Sequence, residues 1–464
     1  MTGLTRRVAE FVAALRSDDV PVDCLNAAAI GVTDFIAVTC AGAHEVAPRL
    51  ASQLVRPASL PISAPAIPSG VLYDAPDAAL INGIAGHVLD YDDVGIDGHP
   101  SVVLASALLA EGWALNRSGA LALAAYVAGY EIWALLNVLE PGNLHERGFH
   151  PTAVCGTLAA TAACAVLHGL DAEKTCNAIA IGASLACGLV ANFGTMTKSL
   201  HAGRTAQSGI VAARLAALGY TGSADALEHP VGFLAAHSPS GHPDMSAETA
   251  KLGQHWRMRD FGINIKCYPI CYGTHRCIDA MLDLVSAHKL KPEQIREVRV
   301  GVGTAQLVML RNHAPQTGLE AKFSMEFAMA SALTAGRVGL DQLTDGFVRR
   351  VDIQALMKRV TSRAVHDGIP GLPAAPGAPM HADIVEVELT DGTVIAAPPI
   401  EYARGSWQRP LDRSGLLAKF LDCTRLTLST QHAQMLFEQL MALREIDSLR
   451  DLALGVEEPT TAPA

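Results

Sequence analysis

Aromatic residues are scarce in this chain, at 5% of 464 residues, whereas Ala and Gly are abundant. A large β-sandwich would need more aromatic and β-branched side chains, so the composition favours helices packed closely through small residues. Basic charge is also in deficit. The net charge of −11 argues against nucleic acid as a partner, because phosphate binding needs a basic face. The ten Cys form no CxxC pair of zinc type. A chain this long, half of it apolar, needs no disulfide staples, so reduced thiols in a cytoplasm are expected. Neither a ligand-spaced His/Cys set nor a Gly-rich dinucleotide or phosphate loop is present, so neither a metal nor an organic cofactor is expected. The N-terminus lacks the apolar core of a signal peptide; Leu4, Val8, Phe11, Val12 and Leu15 fall at helical spacing instead. The most apolar long stretch, Ala178 to Phe193, contains Ser184 and Asn192 and reads as a buried helix rather than a membrane span.

What is present is mostly helix. Val102–Asn116, Leu121–Leu139, Thr152–His168 and Gly203–Gly219 are long, Ala-rich and apolar on several faces, as helices buried on several sides are. After Arg257 the texture changes. Glu297–Val302 alternates apolar and polar residues, and Ile384–Leu389, Asp391-Gly392 and Val394–Ala396 read as a hairpin around an Asp-Gly turn. Helical patterns recur at Ser324–Ala335 and Asp352–Val360, and the Pro/Gly-rich Asp367–Met380 reads as a loop. Ser414–Leu421 and Thr430–Leu443 are helical again. The expected fold class is mainly α: a large helical domain from both chain ends (1–258 and 400–456), an inserted α+β lid domain (259–399), and a disordered tail (457–464).

Four stretches hold most of the chemistry-bearing residues. Residues 82–93, NGIAGHVLDYDD, place three carboxylates in four positions and run on to His99-Pro100-Ser101. Carboxylates so close repel one another unless cations, donors or a metal stand nearby. A metal set would draw on His87, Asp90, Asp93 and His99, but the spacing matches no hydrolase motif. Residues 148–152, GFHPT, put His150 just before an apolar helix, where Thr152 could equally be a plain N-cap. Residues 194–204, GTMTKSLHAGR, carry Lys198, His201 and Arg204 beside a buried run, where desolvation would lower a lysine pKa. Residues 266–275, KCYPICYGTH, carry Lys266 and His275; their CxxxC spacing disfavours a redox or zinc site. Each stretch alone is more often structural. Together, seven cationic or imidazole positions (His99, His150, Lys198, His201, Arg204, Lys266, His275) in an acidic protein suit a small anionic substrate, held by Lys and Arg while a His or Lys moves a proton.

In this order the stretches resemble the MmgE/PrpD family, and Leu227-Glu228, Gly232-Phe233, residues 321–324 (AKFS) and Arg404-Gly405 extend the resemblance over nearly the whole chain. That resemblance implies cofactor-free lyase or isomerase chemistry on small di- and tricarboxylates, in a homodimer whose site lies between helical domain and lid. It implies that Asp90, His99, His150, Lys198 and His275 line the site and that Lys266 supports it. Two positions depart from the pattern: Val94 and Phe327 stand where relatives offer a hydroxyl. A pocket without those hydroxyls should grip a decarboxylase's substrate differently. Dehydration of a 2-methylcitrate-type substrate is therefore the expected reaction, ahead of epimerisation of an iminodisuccinate-like dicarboxylate or decarboxylation of cis-aconitate. A metal-dependent hydrolase or a non-catalytic carboxylate-binding protein are the expectations of a different class.

Overall fold

The computed structural model describes residues 3–58, 62–140, 143–237, 245–366 and 382–455. The expected loop at 367–380 and the expected tail at 457–464 lie outside them. The chain divides into two compact units: residues 1–263 with 412–464, and residues 264–411. The boundaries fall later than the sequence suggests at both ends of the insert. Met258–Phe261 is a turn of helix tied to the first unit, because the Arg257 and Met258 amides both donate to the Glu131 carboxylate. Residues 400–411 belong to the second unit, because Ile265 N donates to Gly405 O and Trp407 N donates to the Asn264 side chain.

Among the described residues the larger unit is helical apart from a two-stranded antiparallel ribbon, β1 (Ser63–Pro65) and β2 (Leu72–Asp74). Four of its helices position the site: α1 (Ala75–His87), α2 (Pro100–Ala114), α3 (Pro151–His168) and α4 (Met196–Ala217). Each start has a local cause. Asp74 caps α1 through its side chain on Ala75 N, and Thr195 caps α4 on Thr197 N. Pro100 and Pro151 open α2 and α3, since proline lacks an amide that a first helical turn could not pair anyway. At the far ends of these helices a buried ionic knot joins three of them. Glu111 of α2 accepts from Arg214 of α4 through both oxygens (2.8 Å each) and meets His168 of α3 at 2.8 Å. Glu111, His168 and Arg214 all sit near helix C-termini, so α2, α3 and α4 run side by side with their N-termini at the other end. Packing of α1 on α4 depends on missing side chains. A Cβ on Gly83 would lie 2.6 Å from Gly203 Cα, and one on Gly203 would lie 2.2 Å from Leu80 O.

Three helices, Val22–Gly42, Gly119–Leu139 and α3, are long and apolar enough to cross a membrane. Their apolar windows are 83–94% buried within the protein, which accounts for that composition without a bilayer. The expected helix at Ala178–Phe193 is corrected: the helix is Ala172–Leu185. Beyond it the chain turns away, Leu189 is exposed, and Gly188 O accepts the His150 amide.

The smaller unit is α+β. Its four-stranded sheet has the order β4-β3-β5-β6. β3 (Ile295–Gly303) pairs parallel with β4 (Val360–His366) and antiparallel with β5 (Ile384–Leu389), which continues through the Asp-Gly turn into β6 (Val394–Ala396). The hairpin and β3 match the alternation pattern. β4 is not legible: it is an edge strand of mixed Thr, Ser and Arg, and the helix before it ends at Met357 rather than Val360. Helices Met325–Ala335 and His275–His288 pack a common apolar core with the sheet.

Candidate active site

The N-termini of α2, α3 and α4 each carry a residue singled out by the sequence. His99 is the N-cap residue of α2, His150 that of α3, and Lys198 lies in the first turn of α4. Three helix starts, each with a partial positive charge, gather near the end of α1, where the Asp90–Asp93 segment begins; the Asp93 carboxyl takes one amide of α2, Ser101 N. Asp90 adopts a left-handed backbone (φ 53°), a region that Asp tolerates better than most residues. The turn swings three carboxylates in different directions.

Each carboxylate finds a different partner, which resolves their repulsion. Asp90 Oδ1 lies 2.6 Å from Lys198 Nζ, both side chains largely buried. Asp92 is fully buried between two imidazoles: His87 Nδ1 at 2.8 Å and His99 Nδ1 at 3.1 Å. Burial pushes Asp92 up, but the charges and hydrogen bonds of His87 and His99 outweigh it and hold the carboxyl well below its usual range. Asp93 points elsewhere, accepting from Ser101 N (3.1 Å) and Ser101 Oγ (2.9 Å), which in turn meets Tyr126 Oη at 2.6 Å. Burial, then the nearby Asp34 and Asp92, raise Asp93 far above the usual carboxylate range. The metal set His87, Asp90, Asp93 and His99 is thus not assembled. His87, Asp92 and His99 come together instead, within reach of one ion, but at hydrogen-bonding contact with one another.

His150 is buried, and its Nδ1 lies 3.1 Å from Nδ1 of His201. Its ring stacks over His87 (6.1 Å) and meets Phe193 edge-on (4.8 Å), while Lys198 Nζ sits 5.3 Å from the same Phe193 ring. Burial first, and then the Lys198 charge, push His150 well below 6.5; the same two causes lower His201. Burial also lowers His87, to about 4. The result is a neutral imidazole, His150, close to an ammonium, Lys198.

Arg204 does not join this group. It is exposed and donates to Gln207 Oε1 at 2.7 Å, because six positions beyond Lys198 the α4 surface has turned toward solvent. Val94 is half-buried in the loop before His99. Lys266, His275 and Phe327 are carried by the smaller unit. Lys266 is buried there, and His275, at the start of its helix, lies between Tyr268 and Tyr272 with Nε2 3.3 Å from Ile270 O. Phe327 is fully buried, edge-on to Phe347, in that unit's apolar core. Sequence reasoning passed over Asp92 and Lys419 as site residues. Lys419, from the C-terminal helix Arg413–Thr424, reaches Asp34 Oδ1 (2.6 Å) and Tyr91 O (2.9 Å), bracing the carboxylate turn from behind. A lone Lys in a C-terminal helix pattern gives no signal of this.

A helical unit interrupted by an α+β insert, with imidazoles, an ammonium and a carboxylate gathered at convergent helix starts, has the build of an enzyme. The model of the MmgE/PrpD N-terminal domain matches residues 6–246 and that of the MmgE/PrpD C-terminal domain matches residues 268–443. The chain belongs to the MmgE/PrpD family. Its relatives include cis-aconitate decarboxylase of Homo sapiens, 28% identical over 397 residues (82% of this chain, 79% of the relative). That of Mus musculus is 28% identical over 359 residues (74% and 70%). The Aspergillus terreus enzyme is 24% identical over 487 residues (100% and 97%). These are lyases, and the chain is an enzyme of the lyase or a related type, with a decarboxylase- or dehydratase-like carboxylate chemistry.

Proposed function

We propose that the protein is a cofactor-independent lyase for a small di- or tricarboxylate, with 2-methylcitrate-type dehydration as its reaction. The observation that carries this is the neutral His150 beside the Lys198 ammonium at three convergent helix N-termini. The helix starts and Lys198 suit a bound carboxylate, and an imidazole that stays neutral can take the proton from the adjacent carbon. As negative charge spreads onto that carboxylate, the same positive ends stabilise it more than they stabilise the ground state. His99, at the start of α2, is the second imidazole of this group. Decarboxylation of cis-aconitate is the second reading, supported by the names of the relatives. Val94 and Phe327, apolar where a hydroxyl would serve that substrate, favour dehydration.

Proton NMR in D₂O with 2-methylcitrate, citrate, cis-aconitate and iminodisuccinate tests this directly. Loss of water from 2-methylcitrate, unaffected by EDTA, is the expected result. Turnover of cis-aconitate with release of CO₂, and none of 2-methylcitrate, would replace dehydration with the second reading. Loss of activity on chelation, restored by one divalent ion, would defeat both.

A further inference from the structure

Asp92 is buried beyond the reach of solvent and lies one residue past Tyr91, whose carbonyl oxygen accepts from Lys419, yet it touches two of the site's four imidazoles. Its contacts constrain where protons can be. Nδ1 of His99 faces Asp92 Oδ2 at 3.1 Å and the Asp93 carbonyl oxygen at 3.0 Å. A carbonyl only accepts, and so does an ionised carboxylate, which is the state the two imidazoles hold Asp92 in. The His99 proton must therefore sit on Nδ1, and Nε2 is the only nitrogen left for a ligand. The same holds for His87, whose Nδ1 lies 2.8 and 3.1 Å from the two Asp92 oxygens, while its Nε2 is buried with no hydrogen-bond partner among the described residues. Free imidazole prefers the opposite tautomer, with the proton on Nε2, so this arrangement is imposed by the fold.

We propose that Asp92 is a positioning residue that locks His99 as its Nδ1–H tautomer, so that Nε2 meets the bound substrate as an acceptor of a hydrogen bond or a proton. His87 completes the device: its Nδ1 meets both oxygens of the Asp92 carboxylate, including the Oδ2 that faces His99, and so holds Asp92 against His99. The substrate part of this statement rests on the carboxylate-lyase reading; the tautomer part stands without it. An ionised Asp that orients an imidazole and stabilises the imidazolium formed in the reaction is worth orders of magnitude in kcat in other enzymes.

Nitrogen-15 NMR of the histidines in the full-length protein near pH 7.5 distinguishes Nδ1–H from Nε2–H rings; His99 and His87 are assigned by the signals lost in His99→Gln and His87→Gln. The expected wild-type spectrum has both rings in the Nδ1–H form. In Asp92→Asn the amide oxygen can still accept at the Oδ2 position, but it carries no charge to hold an imidazolium, and the NH2 group beside His87 Nδ1 favours the other tautomer of that ring. For that variant kcat should fall by about 10²- to 10³-fold, with KM within about threefold and the acid limb of the pH profile displaced. In His87→Gln, which keeps the Asp92 carboxylate and gives it an amide donor, His99 should remain Nδ1–H. A wild-type His99 found as Nε2–H overturns the proposal, as does Asp92→Asn leaving both tautomers and kcat as in wild type. The wild-type spectrum alone decides if Asp92→Asn fails to fold. Wild-type protein with the expected tautomers that turns over none of the carboxylates would support the lock and reject the substrate reading.

Discussion

Two buried groups of the larger unit should make stability respond to pH in opposite directions, and separating them tests the electrostatics of the site. Burial lowers His87 from 6.5 to about 4. Between those values the unfolded chain binds the imidazole proton and the folded chain does not, so this contribution is present above pH 6.5 and is lost as pH falls toward 4. Glu131, buried beneath the Arg257 and Met258 amides, is raised from 4.5 to about 7 by burial. There the folded chain holds the proton, so its contribution is present below pH 4.5 and is lost as pH rises to 7. Each shift corresponds to about 3 kcal/mol in full. At pH 5 relative to pH 8, His87 costs about 2 kcal/mol and Glu131 contributes about 2 kcal/mol, so in the wild type the two nearly offset. The perturbation is to remove them one at a time. His87→Gln should gain about 2 kcal/mol on going from pH 8 to pH 5 relative to wild type, and Glu131→Gln should lose about as much. Hydrogen exchange measured by mass spectrometry across a urea series at the two pH values, read on peptides from Ala75–His87 and Gly119–Leu139, reports this unit apart from the other. Comparing pH values within each variant cancels any pH-independent cost of the substitution. Variants whose pH dependence matches wild type would show that neither group titrates as its burial demands, and the neutral-imidazole description of the site would fall with it.

Lys198→Ala and His150→Ala should each lower kcat at least about a hundredfold with melting curves still cooperative; near-full activity in either would make that residue structural. Gly203→Val would drive a branched side chain into Leu80 O and Ile84 at the α1–α4 contact. It should destabilise by at least about 1–3 kcal/mol and, by displacing Lys198 from Asp90, depress kcat as well, measurable by urea titration and steady-state kinetics. Val94→Thr/Phe327→Tyr should raise kcat/KM for cis-aconitate relative to 2-methylcitrate. An unchanged ratio would mean that both side chains only pack, as the full burial of Phe327 would allow.

The candidate residues could be read from the chain because unusual side chains stand at local signals. His-Pro at 99–100 and 150–151 marks helix starts, and a Lys beside a small-residue helix is rare enough to notice. Helices apolar on all faces, and a hairpin around Asp-Gly, follow from periodicity and turn chemistry. Those features depend on neighbours a few residues apart, which is the range over which a sequence pattern carries information. Long-range partners have no such pattern. That Asp90 takes Lys198 while Asp92 takes two imidazoles and Asp93 takes Ser101 is decided by one left-handed residue at the end of α1 and by where α2, α3 and α4 begin. The parallel alignment of those helices is held by Glu111, His168 and Arg214, residues 103 positions apart at the extremes. Arg204, six places from Lys198, looked equivalent to it in sequence, and the turn of the helix put it in water. The sequence by itself determined which side chains were available and which elements carried them. Only the tertiary structure decided which of three adjacent carboxylates would be paired with a lysine, bridged between imidazoles or hydrogen-bonded to a serine, because the distance to a partner across the fold sets those pairings.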